Sequence, residues 1–551
     1  SFVGVGVALG GLIFGDVMCK IHSAEITSHL CPAKEIITDT DTHNKTLLKA
    51  DETVQKIAEE GITLLKNNGT LPLKVNKDNK YKINLFGSGS NNEFCYTGWG
   101  SGAATINSDK KITLKKAFEN AGFEVCNDSF GLDPYSNNNA LTIGKNFSDT
   151  AVVTISRRTG ENHDATDSDG RNKLQLTVQE ENMINCVADN FDKTIVLINT
   201  GNAMELGFIE NEKIDACLYV SYLGQSGSNA ISKILSGEVN PSGHLVDTFV
   251  YDNTLDPTYA NLLKESGQIT YTENIYYGYK WYETADHEGV WNNSKYSRTI
   301  LDNEGKNKTL KGYDSVVQYP FGYGLSYTTF EWSNASIEIK DKDNKVVSDG
   351  YITDESKITI NVTVKNTGSV AGKDVVQVYL TAPFTKGGIE KSYVNLVGYE
   401  KTIVLEPQSE QKLSIEIDAN DFTSYDCYDM NKNNHTGYEL ESGDYELKLM
   451  TDSHNLKKLD KNTFVVKVKD TINLTKDKYT GQEVNNKFTY PNAYDGYALD
   501  GNNGEENANI PYIKRGSFPD PYEFKRGENR KITSAIAKKV RINQALGAVW
   551  H

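Results

Sequence analysis

The sequence predicts a layered α/β domain with a largely parallel sheet, followed by an antiparallel β-sandwich. Two observations carry that expectation. Between Tyr81 and Leu235, short apolar runs alternate with amphipathic stretches, the β-α-β rhythm of layered folds. After Tyr327 the hydrophobic period drops to two, in runs such as KITINVTVKN, KDVVQVYL and QKLSIEID, punctuated by Gly, Pro, Asn and Asp.

The elements follow in order. Phe2 to Met18, FVGVGVALGGLIFGDVM, is apolar except for Asp16 and shorter than the roughly 20 residues of a membrane span. With Ser1 in place of an initiating Met, it reads as a truncated signal sequence or membrane anchor, the alternative being a buried strand. Residues 1–49 are accordingly set apart, and a secreted or membrane-anchored extracellular location is expected. Residues 50–68 read as an amphipathic helix, with Val54, Ile57, Ala58, Ile62 and Leu65 at helical spacing. Ile83 to Phe86 reads as a buried strand running into the turn Gly87 to Ser90. Leu114 to Ala121 suits a helix and Phe123 to Cys126 a short strand. Ala151 to Ser156 is an apolar strand that enters the charged loop RRTGENHDATDSDGR. A helix over Gln175 to Asn190, strands at Thr194 to Ile198 and Ala216 to Val220, and a helix around Ala230 to Leu235 complete an α/β domain placed at residues 50–329. The sandwich takes residues 330–468. Residues 469–551 lack sustained periodicity, apart from a helical stretch SAIAKKVRINQALGAVW near the end.

Composition narrows the function. The formal net charge of −16 over 551 residues makes nucleic acid a poor partner, because phosphates repel such a surface. Neutral sugars, held by hydrogen bonds and ring stacking, are not excluded. Seven scattered cysteines without a CxxC pair argue against a zinc module or a dense disulfide scaffold. Sequons such as Asn68 and Asn434 permit secretion without arguing for it. The histidines form no metal constellation, GQSGS provides neither GxGxxG nor GxSxG, and no GxxxxGKS phosphate loop occurs. No cofactor is called for.

Several longer motifs remain. They are AEEGITLLKNNGTLPL (Ala58 to Leu73), GQSGSNAISKILSGEVNPSGHLVDTF (Gly224 to Phe249), YTENIYYGYKWYET (Tyr271 to Thr284) and YPFGYGLSYTTF (Tyr319 to Phe330). NTGSVAGKDVVQVYL and LVGYEKTIVLEP follow in the sandwich. In this order they resemble the second domain and the fibronectin type III-like domain of family 3 glycoside hydrolases, the β-glucosidase-like enzymes. The resemblance implies retaining hydrolysis of β-glucosides or oligosaccharides. It also implies a TIM-like barrel, expected here in the family's permuted order and absent or truncated, in the same full-length chain or another subunit. The family's nucleophilic aspartate lies in that barrel and maps onto no residue here. The alternative is a noncatalytic carbohydrate-binding or structural protein.

The loop SRRTGENHD, Ser156 to Asp164, resembles the family segment that carries the general acid/base. The resemblance makes Glu161 the proton donor, although Asn162 stands where the family pattern has glycine. Asp164 is expected to orient the loop or contact sugar, or else to form a structural salt bridge. Arg157 and Arg158 are expected to pair with these acids, since the guanidinium fork suits carboxylates, or to lie on the surface. Glu273, among Tyr271, Tyr276, Tyr277 and Tyr279, is a further candidate, the alternative being that this stretch packs the domain.

Overall fold

The computed structural model describes residues 40–76, 80–100, 104, 106, 108–160, 174–261, 273–301, 306–484 and 513–523. The chain divides into two units, Ser1–Val54 and Gln55–His551. Of the first, residues 40–54 are described, and they form the front of helix α1 (Thr40–Gly61). Among the described residues no helix is long and apolar enough to cross a membrane, and Phe2 to Met18 lies outside them.

Six strands form the sheet of the α/β part: β1 (Thr63–Asn67), β2 (Tyr81–Phe86), β3 (Phe123–Val125), β4 (Thr150–Arg157), β5 (Lys193–Thr200) and β6 (Ala216–Tyr219). Their spatial order is β1-β6-β5-β4-β2-β3, parallel throughout except for β1, which pairs antiparallel with β6. The sequence expects helix across residues 62–68, and the structure corrects this. Helix α1 ends at Gly61, and Thr63–Asn67 is an edge strand whose first residues are buried. Ile62 and Leu65 fit a helical period, but so short an apolar run fits a strand equally well. The open edge of β6 decides between the two.

The central strands feed two layers. Ile83, Leu85, Val152, Ile195, Leu197 and Leu218 face α2 (Leu114–Asn120) and α5 (Ser228–Ser236). The alternate residues Phe86, Val153, Ile155, Val196, Ile198 and Cys217 face α4 (Val178–Asn190), and Leu141 of α3 (Asn138–Phe147) packs on the same side. Alternation on buried strands supplies both faces, as a doubly covered parallel sheet requires. Two helices have sequence-legible starts. Thr113 caps α2 by accepting from the Lys116 amide, and Thr177 with Glu180 closes a capping box on α4.

A smaller aromatic layer follows, built from β7 (Phe249–Val250), α6 (Tyr279–His287), the hairpin β8 (Ser297–Leu301) and β9 (Asn307–Lys311), and β10 (Val317–Tyr319). Its core is Tyr276, Trp281, Tyr282 and Trp291, joined by Ile513 from the far end of the described chain. The sandwich stacks β11 (Phe330–Lys340), β12 (Lys357–Asn366) and β15 (Glu410–Asp418) on β14 (Asn395–Lys401), β13 (Val375–Thr381), β18 (Gly443–Met450) and β19 (Thr463–Val468). A third small sheet holds β16 (Ser424–Asp426), β17 (Gly437–Leu440) and β20 (Ile472–Leu474). The α/β sandwich and the antiparallel β-sandwich are thus both present, in the expected order.

Candidate active site

Strand order locates the site. From β2 the chain crosses to β3 on one side, then returns to place β4, β5 and β6 on the other. Between β2 and β4 the winding reverses, and loops leaving the carboxyl ends of two such strands part to form a crevice.

Those loops are tied closely. After β2, the Ser90 hydroxyl donates to the Phe86 carbonyl (2.7 Å) and accepts from the Thr154 hydroxyl of β4 (2.8 Å). Asn199, fully buried at the end of β5, is the hub. Its Oδ1 accepts from the Cys95 amide (2.6 Å) and the Ser156 hydroxyl (2.9 Å), while its Nδ2 donates to the Cys95 and Ser221 carbonyls (2.9 and 2.6 Å). One amide side chain therefore sets the relative height of the loops after β2, β4 and β6. Burial pushes the Cys95 thiol up to about 11, so Cys95 serves as packing rather than as a nucleophile.

The loop after β4 is held on both sides. The Tyr222 hydroxyl donates to the Arg157 carbonyl (2.8 Å) and accepts from the Thr159 amide (2.8 Å). The Trp99 amide donates to the Thr159 carbonyl (2.8 Å). At Gly160 a Cβ would lie 2.4 Å from the Trp99 carbonyl oxygen, so only glycine fits there. Trp99 is 46% exposed. The Arg158 guanidinium covers one face at 3.9 Å from the ring centroid and is anchored by donating to the Thr97 and Gly98 carbonyls (3.1 and 3.0 Å). The result is a braced aromatic plate beside the point where the chain enters Glu161.

Glu161 and Asp164 themselves lie outside the described residues. Arg157 makes a two-pronged pair with Glu180, both contacts at 2.6 Å, and donates to the Gln175 carbonyl (3.1 Å). The fork thereby joins the first residue of the loop to the helix that receives it. Arg158 turns to Trp99 instead. Glu273 is 6% exposed, and its carbonyl accepts from the Tyr276 amide (2.9 Å). Of its neighbours, Tyr276 and Tyr279 pack, the Tyr276 hydroxyl donating to Glu390 (2.5 Å) and Tyr279 stacking on Phe321 at 4.6 Å, whereas Tyr277 is exposed and Tyr271 lies outside the described residues.

Sequence reasoning missed Trp99, Asn199 and Tyr222. Trp99 had a legible signal, a tryptophan in the glycine-rich run TGWGSG. Asn199 and Tyr222 had none, because their partners are distant in sequence.

A buried polar cluster also surrounds Glu283 on α6. Its Oε1 accepts from the Tyr313 hydroxyl (2.5 Å) and the Ser453 hydroxyl (3.0 Å), and its Oε2 lies 2.8 Å from His454 Nδ1. With a side chain 3% exposed and both oxygens engaged, Glu283 joins α6 to the sandwich and offers no face to a substrate.

The family comparisons agree with this architecture. The glycosyl hydrolase family 3 C-terminal domain matches residues 62–327, and the fibronectin type III-like domain matches residues 374–453. A β-glucosidase of Ruminococcus albus is 33% identical over 426 residues, covering 72% of this chain and 40% of its own length. β-Glucosidase A of Butyrivibrio fibrisolvens is 30% identical over 445 residues, covering 73% of this chain and 49% of its own length. The crystal structure of a β-glucosidase from Paenibacillus barengoltzii superposes with a TM-score of 0.60 at 26% identity, over 76% of this chain and 44% of the other. The chain thus spans less than half the length of each of these proteins. The order of its layers and these matches together show that the chain belongs to glycoside hydrolase family 3, carrying that family's C-terminal domain and a fibronectin type III-like domain.

Proposed function

We propose that this chain supplies the acid/base side of a retaining β-glucosidase, with Glu161 as the proton donor. The observation that carries the reading is the braced loop at the β2/β4 switch point. Residues 157–160 are held by Tyr222 and by the Trp99 loop, and Glu161 is the next residue. The curated relatives described above are named as β-glucosidases, which supports a β-glucoside or oligosaccharide as substrate.

In this mechanism a carboxylate about 5 Å from Glu161, outside this chain's assigned residues, attacks the anomeric carbon as Glu161 protonates the departing oxygen. Glu161 then takes a proton from water, which releases the sugar from the covalent intermediate. A barrel in the same full-length chain or another subunit would provide the nucleophile. Asp164 would orient the loop or contact the sugar. A secreted or membrane-anchored protein would meet such substrates outside the cell.

The test is Glu161→Gln in the full-length enzyme. Turnover of an alkyl β-glucoside or a β-linked oligosaccharide should fall about 10²- to 10⁴-fold while thermal unfolding stays unchanged. Substrates whose leaving group needs no proton should lose least. Unaltered turnover on alkyl glucosides would remove Glu161 from the role. The second reading, a carbohydrate-binding protein without catalysis, predicts sugar binding by the full-length protein in the absence of turnover.

A further inference from the structure

The segment Ile513–Glu523 has no part in the reading above. It reads IKRGSFPDPYE and joins the sandwich through residues 485–512. The segment belongs to no sheet, and it carries one short helical turn, Pro521–Glu523. Yet it is seated between the aromatic layer and the loop that leads from β13 to β14. Ile513 is 7% and Arg515 5% exposed, and Phe518 packs on the same aromatic core.

Side chains make the attachment. Arg515 donates through Nε to Glu288, just after α6 (2.8 Å), and through Nη1 to the Lys391 carbonyl (3.1 Å). Its guanidinium lies 4.2 Å from the ring centroid of Phe384. The Arg515 amide donates to Glu390 Oε2 (2.9 Å), which also accepts from the hydroxyl of Tyr276, ahead of α6 (2.5 Å). Phe518 meets Tyr276 and Trp281 edge to face, at 4.9 and 5.0 Å. Asp520 pairs with Lys295 and accepts from the Tyr296 hydroxyl (2.9 Å). Tyr522 stacks on the Tyr296 ring at 5.3 Å.

The signs are complementary along the segment. Its cation meets Glu288, its anion meets Lys295, and its phenyl ring enters an aromatic pocket. A buried arginine and a buried aromatic, each matched by its surroundings, are the usual anchors of peptide recognition. Gly516, at φ 79°, turns the chain between them. Pro519 and Pro521 fix two backbone angles in advance, so less freedom is lost on docking. We propose that this groove is a peptide-recognition site and that Ile513–Glu523 is its in-chain ligand, a clasp that holds both flanks of α6 to the β13–β14 loop. The hold comes from the side chains of the segment and not from the chain that leads to it. The segment therefore stays seated when residues 485–512 are cut, and a free peptide of the same sequence competes for the groove.

The full 551-residue chain is given a specific protease site at Asn503–Gly504 and cleaved under native conditions. The two pieces should co-elute in gel filtration. Synthetic peptide Ile513–Glu523, up to about 1 mM, should displace the C-terminal piece on prolonged incubation. The same peptide carrying Arg515→Ala should need at least about tenfold more. In the chain itself, Arg515→Ala/Phe518→Ala should let the piece separate after cleavage. The peptide competition needs no folded variant, and it decides the matter should the substituted chain fail to fold. Separation of the wild-type pieces on cleavage, retention of the piece by the doubly substituted chain, no displacement by the wild-type peptide, or equal competition by both peptides would each overturn the proposal.

Discussion

Arg157 shows how one side chain can tie the start of a loop to the helix that follows it. Its fork reaches Glu180, which also closes the capping box on α4 with Thr177. The two side chains are 12% and 19% exposed, so truncating the arginine leaves a largely desolvated carboxylate. Arg157→Ala is expected to cost about 2 kcal/mol, measured as a lower urea midpoint, with faster proteolytic nicking between residues 158 and 174. Arg157→Lys should recover only part of the loss, because an ammonium cannot make both contacts. Equal stability for all three proteins would show that Tyr222 and the Trp99 loop hold this segment without Arg157.

At the scale of elements, β12 illustrates what a two-residue period achieves. Ile358, Ile360, Val362 and Val364 are buried at alternate positions, with Ile360 only 1% exposed between β11 and β15. Ile360→Ala removes three carbons from a packed core and is expected to destabilise by about 2–4 kcal/mol. Thr359→Ala, on the opposite face, should change stability by less than about 0.5 kcal/mol. Chemical denaturation of both variants checks the register, since a one-residue slip would exchange the two results.

Across the whole molecule, polar side chains join the α/β part to the sandwich. Glu60 at the end of α1 binds Lys373 and Lys401, and Gln377 donates to the Gly322 carbonyl (2.9 Å) and the Thr451 carbonyl (2.8 Å). Arg515 donates to Glu288 (2.8 Å) and to the Lys391 carbonyl (3.1 Å). His454 is the titrating member of this junction, stacked on Tyr313 at 3.7 Å. Burial by itself would lower its pKa. The hydrogen bond and charge of Glu283, with the charges of Asp286 and Asp452, outweigh that and raise it above 6.5. A raised folded-state pKa contributes stability that is fully present below the unfolded value and lost as pH rises through the folded value. The difference in thermal midpoint between the wild type and His454→Gln should therefore be largest near pH 5 and shrink toward about pH 9. A difference that grows with pH would contradict the assigned pairing.

Most of the fold was legible in the sequence, because burial on both faces of a parallel sheet and on one face of a sandwich writes itself into apolar periodicity. The strands β2, β4, β5 and β6, the helices α2 and α4 and the switch of period after Tyr327 follow from local pattern, whereas α3 was not read from it. So did the loop that enters Glu161, through its resemblance to a family segment. The fate of residues 63–67 was settled by tertiary structure, since an apolar run of that length has no single period until β6 offers an edge. The same holds for the site. That Arg157 answers Glu180, that Arg158 covers Trp99, and that Asn199 gathers three loops depend on contacts between residues far apart in sequence. Hydrophobic period is a property of neighbours along the chain, whereas a hydrogen-bond partner is a property of neighbours in space.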